Sequence, residues 1–197
     1  MDSPMKIAIT GGIGCGKSTT GTALESLGFD VLDTDLVAHR LLKSDPEVRR
    51  QLVDRFGPSV VGPDGVDRSA LGRIVFYDTQ ARHDLEAVLH PLIQAETALW
   101  IAGLRGSFAV LVPLLFEVGW QNQFPSITHI ACVACSPQIQ RQRLKSRGLD
   151  DAAIDLRLAA QLPVSEKMAR SQVVIWTDGP AERQADQWKL VLNRFSH

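Results

Sequence analysis

Gly11-Gly12-Ile13-Gly14-Cys15-Gly16-Lys17-Ser18 decides how this chain folds. Before it, Lys6-Ile7-Ala8-Ile9-Thr10 is a short apolar run stopped by glycines, the pattern of a buried parallel strand. After it, Lys17 to Leu27 puts Ala23, Leu24 and Leu27 at helical spacing, with Gly28 where a helix C′ residue belongs. The stretch between matches G-x-x-x-x-G-K-[ST] in the strand-to-helix setting that gives the pattern its meaning. Its glycines let backbone N–H groups converge on phosphate oxygens that side chains would obstruct. The helix start adds a partial positive charge. Lys17 can reach the outer phosphates, and the Ser18 hydroxyl can ligate Mg²⁺. Residues Gly12, Ile13, Gly14, Cys15, Gly16, Lys17, Ser18 and Thr19 are therefore expected to hold a nucleoside triphosphate. A glycine turn that merely joins strand to helix is the bland alternative.

Working outward, Phe29-Asp30-Val31-Leu32 reads as a second strand ending at Asp33, which completes a βαβ unit. Residues 36–104 are almost wholly helical in pattern. They are broken at Ser44-Asp45-Pro46, at the Gly- and Pro-rich stretch Gly57 to Asp67, and at Asp78-Thr79. Ser44 and Asp45 can cap a helix with Pro46 in its first turn, and Thr79 can cap the long one that follows. This block is too long for a simple crossover and predicts an inserted helical lobe. Further strands are expected at Phe108–Val112, Ile127–Val133 and Val173–Trp176. Helices are expected at Gln138–Arg147, Asp150–Gln161, Ser165–Ala169 and Ala181–Phe195. Alternating strands and helices predict an α/β fold with a five-stranded parallel sheet covered by helices on both faces.

The bulk properties narrow the class. At 197 residues, 45% hydrophobic and 22% charged, the chain suits a globular enzyme of one domain and not a disordered segment. A formal net charge of −1 gives no general attraction to nucleic acid or anionic membranes. No apolar run approaches membrane-spanning length, and Met1 to Pro4 lacks the features of a targeting segment, so a cytoplasmic location is expected. Cys15, Cys132 and Cys135 make no disulfide framework. Cys132-Val-Ala-Cys135 lacks the second ligand pair that a zinc site needs and reads as core thiols. The four tryptophans are scattered and are expected to pack core or interface.

Two features turn phosphate binding towards phosphoryl transfer. Asp33-Thr34-Asp35 stands at the carboxyl end of the second strand, the edge at which ligands sit in open parallel sheets. One carboxylate there can accept a proton from an attacking hydroxyl, while the other holds Mg²⁺-bound water or orients its neighbour. Helix capping is the competing role and is compatible with both. Arg141, Arg143, Lys145 and Arg147 crowd one stretch, with Arg157 beyond. Charge runs usually mark solvated helix faces. The spacing Arg143-x-x-x-Arg147, however, predicts two guanidinium groups on one face that can neutralise transferring phosphate. A GTPase Asn-Lys-x-Asp and an ABC-type Leu-Ser-Gly-Gly are both missing from the sequence.

The chain also resembles the dephospho-coenzyme A kinases over nearly its whole length. The matching segments are Thr10 to Ser18, Asp33-x-Asp35, Asp67-Arg68-x-x-Leu71 with Val75-Phe76, His90-Pro91-Leu92-Ile93, Pro113-Leu114-Leu115-Phe116-Glu117, Arg143-Leu144-x-x-Arg147 and Ala160-Gln161. The resemblance implies transfer of the ATP γ-phosphate to the ribose 3′-hydroxyl of dephospho-coenzyme A. It also implies a core at 1–35, 105–142 and 166–197, an acceptor-binding helical lobe at about 36–104, and a helical lid at about 143–165. Lys17 becomes the phosphate clamp, Asp35 the base, and Arg143 or Arg147 a lid arginine. Asp33, Asp35, His90 and Glu117 become acceptor-side residues, with ATP and Mg²⁺ as cofactors and Ser18 as metal ligand. Monomer or weak homo-oligomer is expected, with no nucleic-acid or membrane partner.

The pattern departs from the family at Gln172 and Thr177, where Asp and Asn are usual, in a segment expected to face the adenine. At Cys15, Ser or Ala is common. Another P-loop kinase of a small metabolite, with a nucleoside or sugar acid as acceptor, and a non-catalytic nucleotide-binding regulator are the competing readings. The first would not be expected to carry both His90-Pro91 and Pro113 to Glu117, and the second would be expected to lack the acid pair or the arginines.

Overall fold

The computed structural model describes residues 4–195; residues 1–3 and 196–197, the outer ends of the expected core, lie outside the described residues. In chain order the elements begin with β1 (Lys6–Gly11), α1 (Lys17–Ser26), β2 (Asp30–Asp33), α2 (Thr34–Ser44) and α3 (Pro46–Phe56). A two-stranded ribbon, β3 (Val61–Gly62) and β4 (Gly65–Val66), precedes α4 (Arg68–Tyr77) and α5 (Thr79–Ala102). Then come β5 (Phe108–Leu111), β6 (His129–Ala134), α6 (Pro137–Ser146), α7 (Asp151–Ala159), α8 (Val164–Ala169), β7 (Val173–Trp176) and α9 (Glu182–Phe195). The chain divides into two compact units, one of Met1–Asp33 with Leu104–His197 and one of Thr34–Gly103.

The first unit holds a five-stranded sheet of order β2-β5-β1-β6-β7, parallel throughout. Helices cover both of its faces, as the sequence pattern predicts. Because side chains alternate along each strand, the register puts Ile7 and Ile9 of β1 beside Ala109 and Leu111 of β5. Ala131 and Val133 of β6 continue the same face. Leu24 of α1 and Trp188 of α9 complete this core, both with no exposed surface. α1 ends as its sequence predicts: Gly28 N–H donates to Glu25 O and Phe29 N–H to Leu24 O, the paired bonds of a Schellman motif. Strand β6 starts two residues later than expected, at His129, because Ile127 N–H is spent in a turn on Phe124 O.

The second unit is helical apart from the ribbon β3–β4, which lies inside the break expected at Gly57 to Asp67. Two paired residues on each strand leave no periodicity for a sequence to display. Asp45 caps α3 as expected, accepting from Glu47 N–H and Val48 N–H. The cap of α5 is Asp78 and not Thr79: the Asp78 carboxylate accepts from Gln80 N–H and Ala81 N–H, and Thr79 is the first helical residue. Asp67 caps α4 in the same way, so three helices of this unit start from an aspartate. Pro91 sits inside the 24-residue α5 without ending it.

Candidate active site

The loop leaves β1 at Gly11 and enters α1 at Lys17. Gly11 is in register with Val133, and a Cβ there would lie 2.2 Å from the Val133 carbonyl oxygen. At φ +149° the position is open to glycine alone, which lets β1 pair up to the residue where the loop turns away. Gly12 is walled in by Val164 and Gln140; a Cβ would meet them at 2.6 and 2.8 Å.

Side chains from distant parts of the same unit hold the loop in shape. Gln161 Oε1 accepts from Ile13 N–H (3.1 Å), and Gln140 Nε2 donates to Ile13 O (2.7 Å). Thr177 Oγ1 donates to Cys15 O at 2.9 Å. Arg143 closes the arrangement: Nη1 donates to Thr177 Oγ1 (2.9 Å) and to Gly14 O (3.4 Å), and Nη2 donates to the Thr177 carbonyl. Lys17 Nζ donates to the carbonyls of Gly11 and Gly12, each at 3.0 Å. Ser18 and Thr19 are exposed in the first turn of α1, where helix N–H groups lack intrahelical partners. The loop is thus braced by two neutral amides, a hydroxyl and one guanidinium, and its lysine rests on its own backbone.

The remaining expected site residues are spread over both units. Asp33 is the half-buried last residue of β2, in register with Leu111. Asp35 belongs to the Thr34–Gly103 unit and is exposed in the first turn of α2, where a carboxylate also suits the helix macrodipole. His90 lies in mid-α5, half-buried; burial pushes its pKa down, against an opposing pull from Glu86.

Glu117 follows β5 and faces α8: its Oε1 accepts from Lys167 Nζ (2.7 Å) and from Leu162 N–H (3.0 Å). Lys167, with no exposed side-chain surface, also donates to Pro113 O at 2.6 Å, while Thr10 Oγ1 donates to the same carbonyl at 3.2 Å. The Pro113–Glu117 segment is therefore pinned to the end of β1 and to α8. Glu117 Oε2 is buried with no hydrogen-bond partner among the described residues.

The structure separates Arg143 from Arg147. Arg143 lies against the loop, whereas α6 ends at Ser146 and leaves Arg147 exposed at its C-cap. It also relocates Gln172. That residue is exposed at the start of β7, at the opposite end of the strands from the loop, where its Oε1 accepts from Ile130 N–H at 2.7 Å. Only Thr177, of the two departures from the family pattern, touches the loop.

Three bracing residues were not legible as such. Gln140 shares a helical face with Arg143 and the buried Leu144, a spacing that could have exposed it. Thr177 and Lys167 carry no local signal, since one is a lone threonine after a strand and the other lies in a helix of six residues.

Comparison with known proteins agrees with this geometry. The dephospho-CoA kinase family profile matches residues 5–182. A dephospho-CoA kinase of Gloeobacter violaceus is 39% identical over 192 residues, covering 96% of this chain and 92% of its own. The crystal structure of TT1252 from Thermus thermophilus superposes with a TM-score of 0.79 at 34% identity, covering 98% of each chain. A dephospho-CoA kinase from Campylobacter jejuni shares the fold with a TM-score of 0.61 at 24% identity over 96% of each chain. A phosphate loop of this build, matched along nearly all its length, leaves one assignment: the chain belongs to the dephospho-CoA kinase family and is an ATP-dependent kinase of coenzyme A biosynthesis.

Proposed function

We propose that the chain transfers the γ-phosphoryl group of ATP to the ribose 3′-hydroxyl of dephospho-coenzyme A, with the loop Gly12–Thr19 holding the phosphates and Asp35 receiving the hydroxyl proton. The observation that carries this reading is the loop braced from Gln140, Gln161, Thr177 and Arg143, with Lys17 kept on its carbonyls. A preorganised cradle of donors gains its strength from not having to reorganise during the reaction.

Lys17 exchanges its two carbonyl bonds for phosphate oxygens as the nucleotide enters. Arg143, already beside Gly14, supplies positive charge next to the transferring group. Asp35 orients the acceptor hydroxyl and takes its proton, and Asp33 steadies the metal's water shell. The hard hydroxyl oxygen of Ser18, with Asp33 on a metal-bound water, fits Mg²⁺, which keeps several waters and takes only one or two protein ligands beside phosphate. Mg²⁺, when bound, neutralises charge between the β- and γ-phosphates.

We assign acceptor binding to the helical unit around His90, and lid movement to residues near 143–165. Glu117 acts on the acceptor side by holding the Pro113–Glu117 segment in place. Arg147, exposed, is the second lid cation. The enzyme works in the cytoplasm as a monomer or weak homo-oligomer. Among the described residues no helix is long and apolar enough to cross a membrane.

The decisive measurement is coupled ADP release with a panel of alcohols. Turnover with dephospho-coenzyme A is expected, and turnover confined to another acceptor would sink the assignment. Asp35→Asn should lower kcat by roughly 10²–10⁴-fold while ATP binding survives. A loss of only a few-fold would remove Asp35 from the role of base.

A further inference from the structure

Two thiols separated by 120 residues meet beneath the phosphate loop. Cys135, which follows β6, donates its S–H to the Cys15 sulfur across 3.3 Å. Bonded sulfurs lie about 2.0 Å apart, so a shift of roughly 1.3 Å would join them. Both side chains are buried, and each is held on a fixed frame. Cys15 N–H donates to Gly12 O and Cys15 O accepts from Thr177, while Cys135 continues a strand paired with β1 and β7.

The surroundings favour chemistry at this pair. The S–H donated by Cys135, aided by the positive charge of Lys17, outweighs burial and holds the Cys15 thiol down at about 7. Cys135, the donor, is pushed strongly upward and keeps its proton. A cavity of about 570 Å³ opens on the site, lined by Gly12, Cys135, Pro137, Gln140, Leu162 and Val164 among others. Gly12, which lines the cavity, also packs against the Cys15 sulfur: a Cβ on Gly12 would come within 3.1 Å of it. A small solute in the cavity thus meets Cys135 directly, with the Cys15 sulfur 3.3 Å behind it. Cys132 offers a built-in contrast. It is as fully buried as Cys15, but burial pushes its thiol up to about 11, and its S–H is directed at the Val133 carbonyl and not at a second thiol.

We propose that Cys15 and Cys135 form an oxidative-modification site, at which a small hydroperoxide converts the two thiols to a disulfide that disables the phosphate loop. The Cys15 thiolate attacks one peroxide oxygen and the O–O bond breaks. The departing oxygen takes a proton and leaves as an alcohol, or as water from hydrogen peroxide, while Cys15 becomes a sulfenic acid. The Cys135 sulfur then loses its proton and displaces hydroxide from Cys15; the S–S bond forms and water leaves. Two thiols give up two electrons and two protons, and one peroxide is reduced. Joining the sulfurs draws Cys15 towards β6 and moves the loop by about 1 Å. A displacement of that size in a reacting site costs about 10²-fold in rate.

The test uses the full-length enzyme and hydrogen peroxide, with ADP release followed before and after dithiothreitol and with non-reducing peptide mass mapping. A Cys15–Cys135 link is expected, with turnover lowered at least tenfold and restored by the thiol. Cys135→Ala, with turnover like the parent's before treatment, should form no link and lose the reversible inactivation. The idea is overturned if the parent's mapping shows both thiols unlinked after exposure, if a link joins Cys132 instead, or if the linked enzyme turns over unimpaired. Because the mapping is done on the parent, a poorly folding variant does not protect the proposal.

Discussion

Two sides of α6 carry the same kind of residue and do opposite things. On one side Arg143 is half-buried and bonds to the loop carbonyl of Gly14 and to Thr177. On the other, Arg141 and Lys145 reach the carboxylates of Asp151 and Asp155 on α7, with every partner more than 40% exposed. In sequence these cations form one basic run. In space one is part of the phosphate cradle, and two tie neighbouring helices together at the surface. Solvent screens the surface pairs, so each is worth about 0–1 kcal/mol. The loop contacts of Arg143 are more shielded and, in the proposed reaction, stand beside the transferring group, so they should dominate catalysis.

That contrast can be broken by mutation, and Lys17 is the strongest lever. Lys17→Ala should reduce kcat/KM by about 10³-fold or more, because it removes the cation that the cradle holds ready. Arg143→Ala comes next, with an expected loss of about 10²-fold in kcat and a smaller change in KM for ATP. An effect within threefold would make the two sides of α6 equivalent and defeat the comparison. Thr177→Val sharpens it: removing the hydroxyl between Arg143 and Cys15 O should cost roughly tenfold in turnover with the fold intact. Restoration by Thr177→Ser would assign the effect to the hydroxyl. Arg141→Ala is the smallest, with turnover within twofold and a stability loss below about 1 kcal/mol by denaturant unfolding, fading further in high salt.

What the sequence disclosed follows the range of the interactions involved. The loop, its strand and its helix are contiguous, so their spacing alone announces them. The five strands were legible because each is an apolar run bounded by breakers, and their parallel order follows from the alternation with helices. The ribbon Val61–Val66 falls in the Gly57–Asp67 break that the sequence shows, but it is too short for a period to reveal its strands. The cap at Asp78 was misplaced by one residue because Asp and Thr both cap well and stand side by side. Gln172 looked close to the nucleotide through its neighbours in sequence. A strand of four residues was enough to carry it to the other end of the sheet. The brace from Thr177 and the meeting of Cys15 with Cys135 depend on β6 and β7 lining up beside β1, which no local pattern encodes.

The placement of β1 has a consequence for how the protein is made. This strand leaves the ribosome well before its partners, which are Phe108–Leu111 on one side and His129–Val133 on the other. Synthesis at about 5–20 residues per second leaves β1 without a sheet for roughly 5–20 seconds after it emerges. β2 waits as well, since its pairing is with β5. The loop that follows β1 is therefore translated well before the strands that flank it, and takes its shape only when they arrive. Until the chain has grown past Leu111, the apolar Ile7-Ala8-Ile9 run has no β5 to pair with.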